Sequence, residues 1–336
     1  MKIDPLLRAL SDPTRLRVMR LLAHMELAVG ELAQVLGQSQ PRVSRHIRIL
    51  CDAGLAERRK EGSWVFLRSA IGERRAPPLG AAAARMLAIA ERDDAAFAAR
   101  CAEDRRHLAA IRAARETTAE AYFARHAGEW DQLRSLHIAD EPVEAALAAA
   151  LAAMTGGATL GTLLDVGTGT GRMAELFAPR AEQVTAFDKS PEMLRIARAR
   201  LQNLPAERID LVQGDFTLLP FADASFDTVL FHQVLHYSLE PLAVLAEAAR
   251  VTRPGGRVAV IDFAAHDREE LRVLHAHARL GFSDEQMLAL LTDAGFAAAT
   301  PVALPGRQLT VKIWTASRGP TVTPGKPPRQ TVKAAS

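Results

Sequence analysis

The amino-acid sequence predicts two unlike domains joined by long helices: a small, mostly helical domain first, then an α/β domain built on a largely parallel sheet. Three observations carry this. Between Ala81 and Ala127 there is no glycine, and the alanines are dotted with Arg and Glu, a composition that favours long helices. From residue 160 to 316, short β-branched runs alternate with amphipathic helical patterns, the signature of an α/β sheet. Residues 1–70 hold short helical patterns and one hairpin pattern. They carry 12 Lys/Arg against 7 Asp/Glu, whereas the other 266 residues carry 30 against 32. The small net charge of +3 therefore hides a basic N-terminal fifth. A basic patch signals nucleic acid only where the fold can use it.

Composition narrows the classes. Hydrophobic residues at 49% and charged residues at 24% suit a soluble globular protein, and 336 residues suit about two domains. No apolar run approaches the ~18 residues of a membrane span, so no membrane partner is expected. MKIDPLLRAL has no apolar core ahead of a cleavage site, so nothing predicts export. Cys51 and Cys101 are too few for a disulfide framework, and a reducing cytoplasm is the expected location.

In the first domain, SDPTRLRVMRLLA opens on Ser11–Asp12–Pro13 and spaces Leu16, Val18, Met19, Leu21 and Leu22 as a core-facing helix. LAVGELAQVLG is a second helix, stopped by Gly37. QSQPRVSRHIRILCDAGL follows after a short turn, with Ser39 placed to cap and Pro41 in the first turn. Val43, Ile47 and Leu50 face the core at helical spacing, which leaves Arg42, Arg45, His46 and Arg48 largely on other faces. Helix, tight turn and helix with a free polar face make a helix-turn-helix. LAERRKEGSWVFLRS adds a hairpin around Lys60-Glu61-Gly62, tipped by Arg58, Arg59 and Lys60. The alternative, a merely solvated arginine face, loses ground because all three features occur in series.

GELAQVLGQSQPRVSRHIRILCDAGLAERRKEGSWVFLR resembles the winged-helix repressors of the ArsR/SmtB family, over nearly all of residues 3–70. The resemblance implies a homodimer on double-stranded operator DNA with an inverted repeat. DNA contacts would come from Ser39, Gln40, Arg42, Ser44, Arg45, His46 and Arg48 of the recognition helix and from Arg59 and Lys60 of the wing. Many members release DNA when a metal or arsenite binds a Cys pair in the preceding helix. This chain has Ala28 and Gly30 there, neither a soft ligand, so no metal is expected.

Behind the wing, PPLGAAAARMLAIAERDDAAFAARCAEDRRHLAAI takes the place of that family's dimerisation helix, with Ala83, Ala84, Leu87 and Ala88 as an apolar stripe. In the α/β part, TLLDVGTGTGRMAELF places a buried strand before Gly167, Gly169 and Gly171, with a helix after them. Glycines there allow a tight turn and close approach of a ligand at the carboxyl end of the sheet. Arg172 stands where a dinucleotide G-x-G-x-x-G would need its last glycine, so the pattern is D-x-G-x-G-x-G. Asp188 ends the second strand, ~20 residues on, where a carboxylate can accept both ribose hydroxyls. Asp215 and Phe216 follow the third strand, where they can accept from an adenine amino group and cover its ring. RPGGRVAVIDF reads as a turn and the fifth strand.

This set resembles the class I S-adenosylmethionine-dependent methyltransferases, over roughly residues 120–316. The resemblance implies a Rossmann-like, seven-stranded sheet whose final antiparallel strand fits LTVKIWTA, residues 309–316. It implies that Asp165, Gly167, Thr168, Gly169 and Gly171 hold the methionine part of S-adenosylmethionine or S-adenosylhomocysteine. Asp188 would hold the ribose, Lys189 and Met193 would flank the adenosine, Asp215 and Phe216 would bind adenine, and His232 and Gln233 occupy ligand-side positions. His236 and Tyr237 are candidate general bases for a small-molecule methyl acceptor, although packing would explain them too. AYFARHAGEWDQLRSLHI, residues 121–138, sits where this group has a lid; Tyr122, Phe123 and Trp130 can face the sulfonium. His266, His275 and His277 fit no standard metal spacing.

The expected divisions are 1–75 for the winged helix-turn-helix, 79–153 for the helical dimerisation, linker and lid segment, 154–317 for the methyltransferase domain, and a disordered Pro-rich tail at 318–336. No cysteine follows Cys101, which argues against arsenite methylation, and no D/N-P-P-Y/F or Pro-Cys motif points to DNA methylation. Two functions stay open: a transcriptional regulator that senses an adenosyl ligand or its acceptor, and a small-molecule methyltransferase that also binds DNA.

Overall fold

The structure is a computed structural model and describes residues 1–23, 25–61, 64–71, 76–135 and 139–319. The N-terminal part runs α1 (Ile3–Leu10), α2 (Pro13–Leu22), β1 (Leu27–Ala28), α3 (Val29–Leu36), α4 (Gln40–Asp52), β2 (Ala56–Glu61) and β3 (Trp64–Ser69). Asp12 caps α2 by accepting from the Arg15 amide at 3.1 Å. Glu31 reaches back to the Ala28 amide at 3.0 Å to hold the start of α3, and Gly37 ends that helix in the left-handed region. Ser39 occupies the N-cap position of α4, but its side chain makes no capping bond. Val43, Ile47 and Leu50 are buried, as their spacing predicts, and the three strands form a small antiparallel sheet in the order β1-β3-β2.

Long helices follow: α5 (Pro78–Asp93) and α6 (Ala95–His126), then α7 (Trp130–Ser135) and α8 (Asp140–Thr155). At 32 residues, α6 extends about 48 Å. It packs first on α2 and α3, and farther along against the α/β domain. The stripe expected to pair two copies is partly used within the chain, because Ala83 and Leu87 are buried in the core of the N-terminal domain. Met86 and Ile89 of α5, with Ile3 and Leu7 of α1, are the large apolar side chains these helices leave exposed.

The α/β domain contributes β4 (Thr162–Val166), α9 (Arg172–Phe177), β5 (Gln183–Asp188), α10 (Pro191–Leu201), β6 (Ile209–Gln213), β7 (Phe226–His232), α11 (Pro241–Val251), β8 (Thr252–Phe263), α12 (Glu270–Leu274), α13 (Asp284–Ala294), β9 (Phe296–Ala298), β10 (Val302–Pro305) and β11 (Thr310–Arg318). The strand order is β10-β11-β8-β7-β4-β5-β6, parallel from β8 to β6, with β11 antiparallel. The seventh position is split: β9 and β10 pair with different stretches of β11. The Arg253–Gly256 turn appears as a register shift inside the β7–β8 pairing rather than as a separate loop. Residues 320–336 of the tail, 136–138 of the lid segment, 62–63 of the wing turn and 72–75 at the first boundary lie outside the described residues. Arg318, placed with the tail above, belongs to β11.

Candidate functional site

The glycine turn leaves β4 at the carboxyl end of the sheet. Gly167, Gly169 and Gly171 all have positive φ, and a Cβ on Gly167 would lie 2.5 Å from Val234, so that position needs glycine twice over. The Gly167 and Thr168 amides donate to the Phe187 carbonyl of β5 at 2.7 and 2.9 Å. Asp165, fully buried at the end of β4, accepts from the Thr168 hydroxyl at 2.6 Å, and its Oδ1 has no hydrogen-bond partner among the described residues. Burial, with repulsion from Asp188, pushes its carboxyl up to about 7, against the Thr168 hydroxyl and the nearby Ala174 amide. A buried acid with an open acceptor suits a cationic ligand group.

Asp188 is held from two sides: the Gly169 amide donates to Oδ2 and the Ser190 amide to Oδ1, both at 2.8 Å. Burial raises its carboxyl in spite of those amides. Lys189 binds Glu116 and Glu120 of α6 as well as Asp215 at 3.2 Å, and although burial opposes it, these acids raise the Lys189 ammonium. Asp215 also accepts from the Thr217 amide at 2.8 Å, Met193 is buried in the first turn of α10, and Phe216 packs on the core. Asp165, Asp188 and the glycines thus form one cradle, with Lys189 and Asp215 at its edge and α6 alongside.

Helix α7 packs against the glycine turn of this cradle. The Trp130 indole nitrogen is 3.4 Å from where a Cβ of Gly169 would stand, and Asp131 accepts from the Thr170 hydroxyl at 2.6 Å. Arg134 pairs with Asp140 at 2.8 Å. Phe123 meets Trp130 and Tyr237 edge-on, with ring centroids 5.4 and 4.9 Å apart. Tyr122 hydrogen-bonds His275 at 2.8 Å.

His232 and Gln233 end β7, both buried; burial, then the nearby Arg134 cation, lowers the His232 imidazole to about 3, so it is neutral near pH 7. Gln233 adopts positive φ, an uncommon conformation outside glycine, while its amide donates to the Ile261 carbonyl at 2.7 Å. His236 and Tyr237 follow in a short turn. His236 Nδ1 lies 2.7 Å from Asp262 Oδ1, and the His236 amide donates to Asp262 Oδ2 at 3.0 Å. Asp262, fully buried at the end of β8, was not singled out in the sequence, although an acid inside the apolar run VAVIDF was the available signal. His236, His275 and His277 line one small cavity with Gln233, Tyr237, Trp130 and Arg134, while His266 sits beside it, across Phe263. Among the described residues, no group of three or more His, Cys, Asp or Glu could hold a metal ion.

In the N-terminal domain, the cap residue Ser39 and Gln40, Arg42, Ser44, Arg45 and Arg48 of α4 are exposed. His46 is turned inward, its Nδ1 3.5 Å from the cap residue Asp12, so it does not share their open face. In the wing, Arg58 and Lys60 are exposed, but Arg59 is not a free cation. Successive strand residues point to opposite faces, and Arg59 and Glu61 point at the α/β domain. Arg59 binds Glu26 at 3.0 Å and Glu61 at 2.8 Å. Glu61 in turn accepts from Arg272 at 2.9 Å and from the Leu280 amide at 2.6 Å. Arg279, fully buried, donates to Glu26 at 2.8 Å and lies over Phe66, while Arg272 lies over Trp64. The backbone amide of that same Arg279 donates to the His236 carbonyl at 2.8 Å.

Two known families match separate stretches of the chain. Residues 12–58 match the family described as bacterial regulatory protein, arsR family, and residues 164–260 match the family described as methyltransferase domain. An uncharacterized 37.1 kDa protein in transposon TN4556 of Streptomyces fradiae is 36% identical over 165 residues, covering 46% of this chain and 47% of that one. A demethylmenaquinone methyltransferase of Renibacterium salmoninarum is 42% identical over 102 residues, 30% of this chain and 41% of that protein. This chain therefore spans under half the length of these curated relatives. Among solved structures, a 1,6-didemethyltoxoflavin-N1-methyltransferase of Burkholderia thailandensis aligns at 24% identity and a TM-score of 0.47, covering 61% of this chain and 89% of that one.

Proposed function

We propose that this chain, which joins an arsR-family helix-turn-helix to an S-adenosylmethionine-dependent methyltransferase domain, is a DNA-binding transcriptional regulator whose methyltransferase domain supplies the signal. In this reading two copies, meeting through the exposed Ile3, Leu7, Met86 and Ile89, place Arg42, Arg45 and Arg48 on an inverted repeat. Gly167, Gly169, Asp165 and Asp188 hold the adenosyl ligand, and Lys189 and Asp215 border its adenosine end. When bound, S-adenosylmethionine supplies an electrophilic methyl group, and the residues of this chain position it and exclude water.

One observation supports coupling above all: Arg279 ties Glu26 of the first domain to the backbone of His236 beside the cradle. A second connection runs along α6, which pairs Arg115 with Glu31 at 3.0 Å near the recognition helix and Glu116 with Lys189 at the cradle. A ligand that moves Lys189 or the His236 turn therefore acts on elements that also hold the wing.

Linkage is reciprocal: a ligand that changes operator affinity has its own affinity changed by operator, by the same factor. We expect S-adenosylmethionine or S-adenosylhomocysteine to shift operator affinity by roughly 5–150-fold, which corresponds to ~1–3 kcal/mol of coupling. Operator binding titrated against each ligand, with Asp188→Ala as the variant that has lost its ribose anchor, decides this. If neither ligand moves the curve, with or without an acceptor, the domains are only tethered. The second reading, a working methyltransferase that regulates its own expression, then takes its place. The buried His236–Asp262 pair beside a cavity favours that second reading.

A further inference from the structure

We propose that His236 takes the proton from an aromatic hydroxyl acceptor held under the lid, and that Asp262 is the positioning residue that makes it able to do so. This rests on the methyltransferase reading. Asp262 has both oxygens committed: Oδ1 to His236 Nδ1 at 2.7 Å and the Phe263 amide at 2.8 Å, Oδ2 to the His236 amide at 3.0 Å. A carboxylate at that distance accepts, so the hydrogen-bond network assigns the imidazole proton to Nδ1 and the lone pair to Nε2. Nε2 is buried and has no hydrogen-bond partner among the described residues. Such an atom, on a ring whose other nitrogen is held by a fully engaged carboxylate, wants a donor.

The surroundings say which donor. His236 lines a cavity of about 30 Å³ with Tyr122, Trp130, Tyr237 and Phe263. In this closed form there is room for about one water, so an acceptor enters by displacing the side chains of α7. Flat walls on several sides select a flat guest: ring faces and edges pack at centroid separations of about 4.5–7 Å. Trp130 forms a wall of the cavity and also stands against Gly169, so it is the side chain between the guest and the methyl donor and has to move aside for the transfer. Tyr237 is a poor rival for the role of base, because burial, with Tyr122 and Asp262 nearby, holds its phenol well above its ordinary value.

The acceptor hydroxyl proton passes to His236 Nε2, an oxygen lone pair forms the bond to the methyl carbon, and the carbon–sulfur bond breaks with its electron pair left on sulfur. The products are the aryl methyl ether and S-adenosylhomocysteine, and the imidazolium then returns its proton to water.

The test uses the full chain with S-adenosylhomocysteine bound and 4-nitrophenol as the probe, whose phenolate absorbs differently from its phenol. Wild-type protein should bind the dye as phenolate at a pH where the free dye is mostly phenol. His236→Gln and Asp262→Asn should bind it as phenol, with unchanged S-adenosylhomocysteine affinity by calorimetry; the Asn variant removes the negative charge that stabilises the imidazolium. With a phenolic acceptor and S-adenosylmethionine, His236→Gln should lower kcat by about 10²–10⁴-fold. In nitrogen-15 spectra of histidine-labelled wild-type protein, which need no variant, one imidazole should be protonated at Nδ1 alone and gain its second proton when the dye binds. Dye that binds wild type as phenol, or fails to bind it, overturns the proposal. So does a bound phenolate that persists in His236→Gln. Failure of S-adenosylhomocysteine to bind wild type would instead remove the methyltransferase reading, and this proposal with it.

Discussion

The recognition helix and the wing carry the same kind of charge in sequence and meet opposite fates in the fold. On α4, Arg42, Arg45 and Arg48 are exposed and make no ion pair among the described residues. On the wing, Arg59 is sandwiched between Glu26 and Glu61, and Trp64 and Phe66 are covered by arginines from the α/β domain. The helix presents its basic face because a helix buries one stripe and frees the rest. The wing is a two-residue-period structure, so every second side chain turns inward whatever its charge. One basic element is thus free to meet DNA, while the other is half engaged in holding the two domains together.

Removing the acid at the centre of the wing contact should give the largest effect. Glu61→Ala leaves Arg272 and Arg279 in low-dielectric surroundings with one partner fewer. Losing one member of a buried ion pair costs about 3–5 kcal/mol. Thermal unfolding should show a loss of that order, whereas Glu57→Ala, which removes the exposed partner of Arg68, should cost at most about 1 kcal/mol. Equal losses would mean that the wing is not docked in solution. On the free element, Arg42→Ala or Arg45→Ala should weaken operator binding by about 1–3 kcal/mol and relax specificity at one position. Gel shifts unchanged in both variants would remove α4 as the reading element.

How far this contrast was legible in the sequence follows from the range of the forces involved. Val43, Ile47 and Leu50 announce the buried face of α4 because helical periodicity is local. The α/β class follows from the alternation of short apolar runs with helical patterns, and the seven-stranded sheet with its antiparallel last strand follows from the resemblance that the glycine turn and the acids after the strands carry. Glu26, Glu61, Arg272 and Arg279 announced nothing, because their burial depends on two segments more than 200 residues apart meeting in space. Asp262 gave a signal, as an acid inside the apolar run VAVIDF, but its partner His236, 26 residues away, is found only when β7 and β8 lie side by side. Arg59 could have been separated from Arg58 and Lys60 by strand alternation alone, but only a docked partner gives the inward face something to bind. His46 shows the reverse case: helical spacing frees it, and a neighbouring cap residue draws it in.

A smaller effect should come from Asp165. Its folded carboxyl is raised to about 7, chiefly by burial, so the folded form holds a proton that the unfolded chain releases near pH 4. Its contribution to stability is therefore fully present below about pH 4 and is lost as pH rises through about 7. A cationic group of an adenosyl ligand reverses this by favouring the carboxylate. Binding of S-adenosylhomocysteine should release up to one proton at pH 6 and almost none at pH 8. Calorimetry in buffers of different ionisation enthalpy measures that release. No difference between the two pH values would place the ligand's ammonium elsewhere.

The smallest expected effect separates two adjacent wing residues. Each phosphate contact made by a cation adds about 0.9 to the slope of log affinity against log salt. Lys60 is exposed and free to make one, so Lys60→Ala should weaken every DNA sequence alike and flatten the slope by about that amount. Arg59 already has two acids for partners, and bringing it to a phosphate would strip Glu26 and Glu61 of a neighbour while Arg272 and Arg279 still hold them to the other domain. Arg59→Ala should therefore leave the slope unchanged and reduce stability instead. If both variants flatten the slope equally, the wing leaves its dock when DNA binds, Arg59 exchanges carboxylates for phosphate, and the docked wing is the DNA-free state of the switch.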